Sequence, residues 1–261
     1  MTVAELAEHL RASSRIAAFT GAGVSTESGI PDFRSPGGVW TRYDPRDFTF
    51  DRYISSAEVR HNSWKMREEF MAAMPQPNRA HRVLADLEAE GRLLGVITQN
   101  IDGLHQDAGS RNVIEIHGNV REVQCIGLFP KHGIPDGCGF TAHHDWAMER
   151  IAGGDADPDC PSCGGYVKTA TVSFGQAMPE GPMEQASLLA EECDLLLAIG
   201  SSLEVFPAAG IPLDAKAAGA RVVIINRDPT DLDAFVDLVI NGEAGTVLTE
   251  AVRAANTTST D

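Results

Sequence analysis

Residues 15–40 read RIAAFTGAGVSTESGIPDFRSPGGVW, and this stretch is the strongest indication of the fold. A short apolar run ends at Gly21, Ala22 and Gly23 and leads into a segment that can begin a helix. Glycines let the backbone approach a diphosphate closely, and a helix N-terminus offers free N–H groups to anionic oxygens. The stretch therefore predicts a nucleotide-binding loop; a tight turn without a ligand is the alternative. Thr26 replaces the third glycine of G-x-G-x-x-G, which disfavours a hydride-transferring dehydrogenase.

Short apolar runs recur along the chain, as expected for strands that are covered on both faces. Amphipathic helical patterns lie between them, so strand and helix alternate. This alternation predicts an α/β fold with a Rossmann-like, doubly wound parallel sheet. The predicted strands are residues 16–20, 93–98, 113–116, 195–199, 222–225 and 238–240, and the predicted helices are residues 3–12, 78–90, 185–192 and 212–218.

Two stretches break the alternation and predict a smaller domain beside the sheet. One is rich in Pro, Asp, Arg and aromatic residues, and the other holds four of the five cysteines. The polar C-terminal residues are expected to form a flexible tail. We predict a discontinuous NAD-binding domain of residues 1–30, 81–120 and 171–253, a helical insertion at 31–80, a zinc-binding insertion at 121–170 and a tail at 254–261.

The chain has 261 residues, with 37 acidic and 21 basic side chains and a formal net charge of −16. Direct nucleic-acid binding is disfavoured because it needs a basic surface. An acidic surface can attract Lys-rich protein segments, or it can serve only to keep the surface solvated. The chain has no apolar run of the roughly 18–20 residues that a membrane span needs, and no secretory signal. We expect a cytoplasmic protein without membrane contact, monomeric by default.

Four further motifs follow the glycine loop in order: TQNIDGLHQDAG (98–109), EIHGN (115–119), GSSLEVFPA (200–208) and INRDPTD (225–231). Together with the glycine loop they resemble the signature of the sirtuins, the NAD-dependent protein-lysine deacylases, of the bacterial type. The resemblance spans about residues 14–245. It implies NAD as a consumed cosubstrate and acetylated lysine-containing proteins as partners. It also implies that the acetyl group passes to ADP-ribose, with release of nicotinamide and O-acetyl-ADP-ribose.

The resemblance also assigns roles to individual residues. His117 is implied as the general base that takes a proton from a ribose hydroxyl, and Asn100 and Asp102 as catalytic residues that hold ribose and nicotinamide. From the residues alone, an Asn and an Asp after a strand could equally cap the next helix. The further NAD-binding residues implied are Gly21, Ala22, Gly23, Ser25, Asp32, Phe33, Arg34, Trp40, Gln99, Ile101, Gly200, Ser201, Ser202, Asn226, Arg227, Asp228 and Ala244.

By the same resemblance, a substrate peptide adds as a strand between two segments of this chain. The implied substrate-binding residues are Phe33, Val172, Phe174, Gly175, Glu204 and Val205. Gln176 stands where the family usually has Glu, which predicts a changed peptide preference. Sirtuins that prefer succinyl or malonyl groups carry a Tyr-x-x-Arg pair. Here Arg67 has no such Tyr and is followed by Glu68 and Glu69, which favours an uncharged acyl group.

Four cysteines in one insertion of a cytoplasmic protein indicate zinc rather than disulfides. Cys160 and Cys163 form a C-x-x-C pair before two glycines, but Leu128 stands where sirtuins usually have the partner of Cys125. Cys138 is the nearest substitute. We therefore predict a closed, structural zinc site of Cys125, Cys138, Cys160 and Cys163. A site that uses His132, His143 or His144, or an insertion without metal, are the alternatives. Cys193 is predicted to be an inert core thiol.

Two other functions remain open at this point. Protein mono-ADP-ribosyl transfer would use the same cleft and the same release of nicotinamide. A non-catalytic NAD-binding module is the less favoured alternative, because His117 and Asn100 are both present.

Overall fold

Six parallel strands form the central sheet of the structure, a computed structural model that describes residues 2–127 and 137–257. The spatial order is β3-β2-β1-β7-β8-β9, and a smaller antiparallel sheet has the order β5-β4-β6. In chain order the strands are β1 (Ile16–Thr20), β2 (Leu93–Thr98), β3 (Val113–Glu115), β4 (Gly118–Gly127), β5 (Thr141–His143), β6 (Tyr166–Thr171), β7 (Leu195–Ile199), β8 (Arg221–Asn226) and β9 (Leu238–Asn241).

The predicted Rossmann-like sheet is confirmed. All six predicted strands are present, with bounds within one residue of those expected. The strand order reverses between β1 and β7, which lie side by side at the centre. The loops that follow these two strands therefore meet at one edge of the sheet. In open α/β sheets, ligands bind in the crevice at this point.

The helices are α1 (Val3–Ala12), α2 (Phe50–Ser55), α3 (Ala57–Ala72), α4 (Arg79–Ala89), α5 (Leu104–Asp107), α6 (Asp145–Ala152), α7 (Glu180–Glu192), α8 (Ile211–Ala217) and α9 (Ala244–Asn256). Helices α1, α4 and α9 cover one face of the large sheet, and α7 and α8 cover the other. Strand β1 shows why both faces are apolar: Ile16 packs toward α1, α4 and α9, while Phe19 packs toward α7 and α8. Successive side chains of a strand point to opposite faces. Within the described residues, no helix has both the length and the apolar character that a membrane crossing requires.

The segment after Gly21 differs from the expected α-helix. It forms a 3₁₀ helix, Ala22–Ser28, which ends at Gly29 with a φ of +84°. The Thr26 hydroxyl donates a hydrogen bond back to the Gly23 carbonyl at 2.9 Å. Hydroxyl groups that bond to nearby carbonyls in this way compete with regular helical bonding.

The two insertions share a core of their own. Trp64 of the helical insertion packs with Val123, Ala147 and Val167 of the cysteine-rich insertion. An ion pair of 2.7 Å between Arg60 and Asp157 also joins them. The small antiparallel sheet in this region was not predicted, because β5 has only three residues and β4 and β6 lack a clear apolar alternation.

Two predicted boundaries need correction. The boundary between residues 80 and 81 falls inside α4, which begins at Arg79 because the Asn78 side chain caps it. The tail does not begin at residue 254, since α9 continues to Asn256. Its apolar stripe reaches Ala255, which is buried. Residues 258–261 lie outside the described part of the chain.

Gly200 should not tolerate a side chain. Its φ is +62°, and an added Cβ would lie 2.2 Å from the Val24 nitrogen. We expect Gly200→Ala to lower the free energy of unfolding by about 2 kcal/mol or more, because strain adds to the backbone clash. Gly181 of α7 is the matched control, since a Cβ there would meet nothing within 4 Å. Denaturant unfolding of both variants tests this; equal stability of the two would contradict it.

Candidate functional site

One cavity of about 1360 Å³ opens at the edge of the sheet where the strand order reverses. The loops after β1, β2, β7 and β8 form one side of it, and the small domain forms the other. The structure brings all the predicted NAD-binding and substrate-binding residues to its wall: Gly21, Ala22, Gly23, Ser25, Asp32, Phe33, Arg34, Trp40, Gln99, Asn100, Ile101, Asp102, His117, Val172, Phe174, Gly175, Gly200, Ser201, Ser202, Glu204, Val205, Asn226, Arg227, Asp228 and Ala244.

His117 lies between β3 and β4, and one hydrogen bond fixes its ring. Its Nδ1 is 3.0 Å from the carbonyl oxygen of Gln99. A carbonyl can only accept, so Nδ1 carries the hydrogen and Nε2 keeps a free lone pair. Burial lowers the pKa of His117, an effect that the bond to Gln99 opposes. The ring is therefore neutral at pH 7 and able to take a proton at Nε2.

Asn100 and Asp102 are joined through Ser25. The Ser25 hydroxyl donates to Asp102 Oδ2 at 2.7 Å, and the Asn100 amide donates to Ser25 Oγ at 3.1 Å. The other oxygen of Asp102 accepts from the Leu104 backbone N–H at 3.0 Å. These bonds hold an amide and a carboxylate in fixed positions, where they can orient a ribose and a carboxamide.

Two buried histidines, to which the sequence analysis assigned no chemistry, lie behind this group. The rings of His81 and His105 pack edge to face, 4.7 Å apart. Asn78 donates its N–H to His81 Nδ1 at 3.3 Å, so His81 Nε2 carries the hydrogen and points it at Ser25 Oγ, 3.5 Å away. With two donors aimed at its oxygen, Ser25 is left to donate to Asp102. Burial lowers the pKa of His81 to about 4 and that of His105 to about 3.

The sequence carried one signal for His81. It lies on the buried face of α4 with Ala80, Leu84 and Leu87. A histidine on the apolar stripe of a helix needs polar partners in the fold. No sequence pattern could supply those partners, because Ser25 lies 56 positions away.

Removal of His105 should make the free energy of unfolding less sensitive to acid. Below pH 6.5 the histidines of the unfolded chain bind protons, whereas the buried rings of the folded chain stay neutral. The free energy of unfolding therefore falls as the pH decreases toward about 3, the pKa of His105 in the folded chain. Each such histidine costs about 2 kcal/mol at pH 5. We expect His105→Gln to lose about 2 kcal/mol less than wild type between pH 7 and pH 5.

Urea unfolding at the two pH values measures this difference. The exposed His61 provides the control, since His61→Gln should keep the wild-type pH dependence. If His105→Gln lost as much free energy of unfolding between pH 7 and pH 5 as wild type, the lowered pKa of His105 would be contradicted.

The cofactor loop, residues 31–43, is tied to the opposite wall of the cavity. Asp32 pairs with Arg227 at 3.1 Å, and Arg34 pairs with Glu204 at 3.1 Å. Trp40 adds an aromatic contact across the cavity, because its ring lies 6.1 Å from that of Phe174. The loop is therefore held in place by charges and an aromatic ring of the large domain.

Phe174 belongs to a short extended segment in the cavity wall. Its backbone N–H donates to the Phe48 carbonyl at 3.1 Å, and its carbonyl accepts from the Phe50 N–H at 2.9 Å. The Gln176 side-chain oxygen accepts from the Ser173 N–H at 3.1 Å, so it closes the turn that follows. A glutamate oxygen could accept the same bond. The effect of Gln176 on peptide preference stays a prediction.

Two cations of the cavity wall, Arg67 and Lys168, are not among the predicted site residues. Arg67 makes no hydrogen bond or ion pair within the described residues, and burial lowers its pKa to about 10. Lys168 is buried, which lowers its pKa to about 7, and donates to the Thr171 carbonyl. Arg67 has no Tyr-x-x-Arg partner in the sequence, but the phenol of Tyr53 in α2 interacts with it electrostatically. The preference for an uncharged acyl group stays a prediction.

The four clustered cysteines have the arrangement that zinc requires. The Sγ atoms of Cys125, Cys138, Cys160 and Cys163 all lie within 4.8 Å of one another. The Cys125–Cys163 and Cys138–Cys160 separations are 3.5 and 3.4 Å. Zinc–sulfur bonds of about 2.3 Å in a tetrahedron place sulfurs about 3.8 Å apart. The donor set therefore fits zinc, and Cys138 does fill the place of the expected close partner.

The alternative ligands do not join this cluster among the described residues. His143 pairs with Asp145 at 2.9 Å, and His144 is buried elsewhere in the small domain. Leu128 and His132 lie outside the described residues. Cys193 is buried in the large domain, where its thiol donates to the Ala190 carbonyl, and burial raises its pKa to about 11. Four thiolates leave no open position on zinc, so such a site is structural.

Loss of one clustered thiol should release the metal. We expect wild type to contain one zinc ion per chain, and Cys163→Ser to lose most of it together with thermal stability. Cys193→Ser should keep its zinc, since Cys193 is a buried cysteine outside the cluster. Elemental analysis of the purified variants measures the zinc content. Full zinc occupancy in Cys163→Ser would refute the four-cysteine site.

A family model described as "Sir2 family" matches residues 21–207. Two relatives are similar over most of the chain. NAD-dependent protein deacetylase 1 of Bradyrhizobium diazoefficiens is 49% identical, with 94% of this chain and 93% of that protein covered. The NAD-dependent protein deacetylase of Rhodopseudomonas palustris is 46% identical, with 94% of each covered.

Solved structures of Sir2 enzymes share the fold. One, described as the structural basis for the mechanism and regulation of Sir2 enzymes, is 38% identical with a TM-score of 0.83, and 97% of each chain is covered. Another holds a p53 peptide and NAD⁺; it is 33% identical with a TM-score of 0.85, covering 99% of this chain and all of that one.

Proposed function

The chain belongs to the Sir2 family, and we propose that His117, Asn100 and Asp102 carry out its reaction. The protein is an NAD-dependent protein deacetylase. It transfers an acetyl group from lysine to ADP-ribose and releases nicotinamide and O-acetyl-ADP-ribose. The observation that carries the assignment of roles is the fixed Nδ1–H of His117, which leaves Nε2 free as a base.

The NAD site extends along the edge of the sheet. The backbone N–H groups after β1 and the Arg34 guanidinium would hold the diphosphate. Asp102 and Asn100 would hold the nicotinamide-side ribose and the carboxamide. Asn226, Arg227 and Ala244 would surround the adenosine. When bound, NAD supplies the ribose carbon that accepts the acetyl oxygen.

The acetyl-lysine peptide would add as a strand along the segment that holds Phe174. Main-chain hydrogen bonds would supply its affinity. Phe33, Val172 and Val205 offer apolar contacts to the lysine stem. The acetyl amide oxygen is a weak nucleophile, so these walls must hold it in line and exclude water.

His117 would act after nicotinamide has left. Its Nε2 would take a proton from a ribose hydroxyl, the resulting oxygen would attack the acetyl carbon, and addition of water would then release the free lysine. Burial keeps the ring neutral and ready for this step. Protein mono-ADP-ribosyl transfer would need no such base, and the orientation of His117 therefore favours deacetylation.

The proposed substrates are proteins with acetylated lysines. The cytoplasmic location, the monomeric state and the absence of nucleic-acid binding stay predictions from the sequence. So do the bounds of the two domains, apart from those at residues 80/81 and 254.

Replacement of His117 should strongly slow the step that follows the release of nicotinamide, in which the acetyl group passes to the ribose. An acetyl-lysine peptide is followed by mass spectrometry, with and without NAD. Wild type should lose acetyl only with NAD and form O-acetyl-ADP-ribose, while His117→Ala should be slower by about 100-fold or more. His61→Ala, at an exposed histidine, should match wild type. Nicotinamide release without acetyl loss in wild type would indicate mono-ADP-ribosyl transfer instead.

A further inference from the structure

An ion pair crosses the mouth of the cavity between the cofactor loop and the opposite wall. Arg34 Nε lies 3.1 Å from Glu204 Oε2, and nearly half of each side chain is exposed. Arg34 also donates from Nη1 to Ser202 Oγ at 3.4 Å. Within the described residues, Arg34 is the only cation found within 4 Å of the Glu204 carboxylate.

NAD would compete for this arginine. The proposed function, on which this inference rests, assigns Arg34 to the diphosphate. A guanidinium binds a diphosphate in bidentate fashion and more strongly than it binds an exposed carboxylate. Arg34 carries a single positive charge, so a diphosphate takes most of its attraction and leaves Glu204 largely without a cation. Arg227 cannot replace it, because Arg227 is already held by Asp32 at 3.1 Å and lies 3.9 Å from Glu243.

Exposed aromatic residues flank both partners of the pair. Phe33 precedes Arg34 and is 39% exposed, and Phe206 follows Glu204 by two residues and is 64% exposed. The long alkyl stems of Lys and Arg pack on apolar surface of this kind while their charged ends reach an acid. A freed carboxylate in the same cavity wall as these rings is suited to a basic side chain of the bound peptide.

We propose that Glu204 is a specificity-determining residue. It selects acetylated peptides that carry a Lys or Arg close to the acetyl-lysine, and NAD makes it available by drawing Arg34 away. The two substrates are thereby coupled, since NAD removes the cation that competes with a basic peptide side chain for Glu204.

The test compares peptides that differ in one charge. Each pair carries either lysine or the uncharged norleucine at one position within three residues of the acetyl-lysine. At low ionic strength and saturating NAD, wild type should favour the lysine peptide about threefold to fivefold in kcat/KM at one position or more. Glu204→Gln should reduce this ratio to about one. Glu204→Lys should reverse the preference in favour of a glutamate peptide.

Glu243→Gln is the matched control. Glu243 is another exposed acid of the same cavity, 3.9 Å from Arg227, and its variant should keep the wild-type peptide ratio. If wild type treats both peptides of every pair equally, or if Glu204→Gln keeps the preference, the inference is wrong. The norleucine peptide separates this failure from that of the proposed function, because its NAD-dependent deacetylation shows that the reaction itself stands. If no peptide is deacetylated, both fail.

The role of NAD has its own measurement. ADP-ribose serves as an unreactive occupant of the cofactor site while peptide affinity is measured by calorimetry. The lysine peptide should bind more tightly than the norleucine peptide with ADP-ribose present, and the difference should shrink without it. If the preference for the lysine peptide were the same with and without ADP-ribose, the cofactor would not draw Arg34 away from Glu204, and this part of the inference would be wrong.

Discussion

The backbone contact between the loops after β1 and β7 is the constraint on which the site depends. Gly23 donates its N–H to the Gly200 carbonyl at 2.8 Å, and Gly21 donates to Ile199 at 3.0 Å. A Cβ added at Gly23 or at Gly200 would clash with backbone atoms of the other loop. The contact fixes where the 3₁₀ helix begins, and so it fixes Ser25, whose hydroxyl aims at Asp102.

Burial sets the electrostatics of the site beneath this contact. The pKa values of His81, His105 and His117 are all lowered by desolvation. Neutral imidazoles therefore lie in this part of the site, and the hydrogen positions of His81 and His117 are set by their partners. The same burial that prepares His117 as a base also makes the fold sensitive to acid. Catalytic readiness and acid instability thus share one physical cause.

The small domain completes the cavity and depends on the cysteine cluster for its shape. Two of the four cysteines lie in its core beside Trp64 and Val167. A metal there would hold β4 and the loop after α6 together, and β6 leads from that region to the segment of Phe174. In this way the structural site positions the wall along which the peptide is proposed to bind, without contact with the reacting atoms.

The sequence by itself determined the six strands, the glycine loop and a set of residues that line the cavity. Apolar runs and ordered motifs are local features, and parallel strands bring their carboxyl ends to one edge. Only the tertiary structure decided which polar groups meet. Thr20 bonds to His105 across 85 positions, Arg34 meets Glu204, and Tyr53 approaches Arg67 from another helix. Such pairs depend on the relative placement of distant segments, which core packing sets and local patterns do not encode.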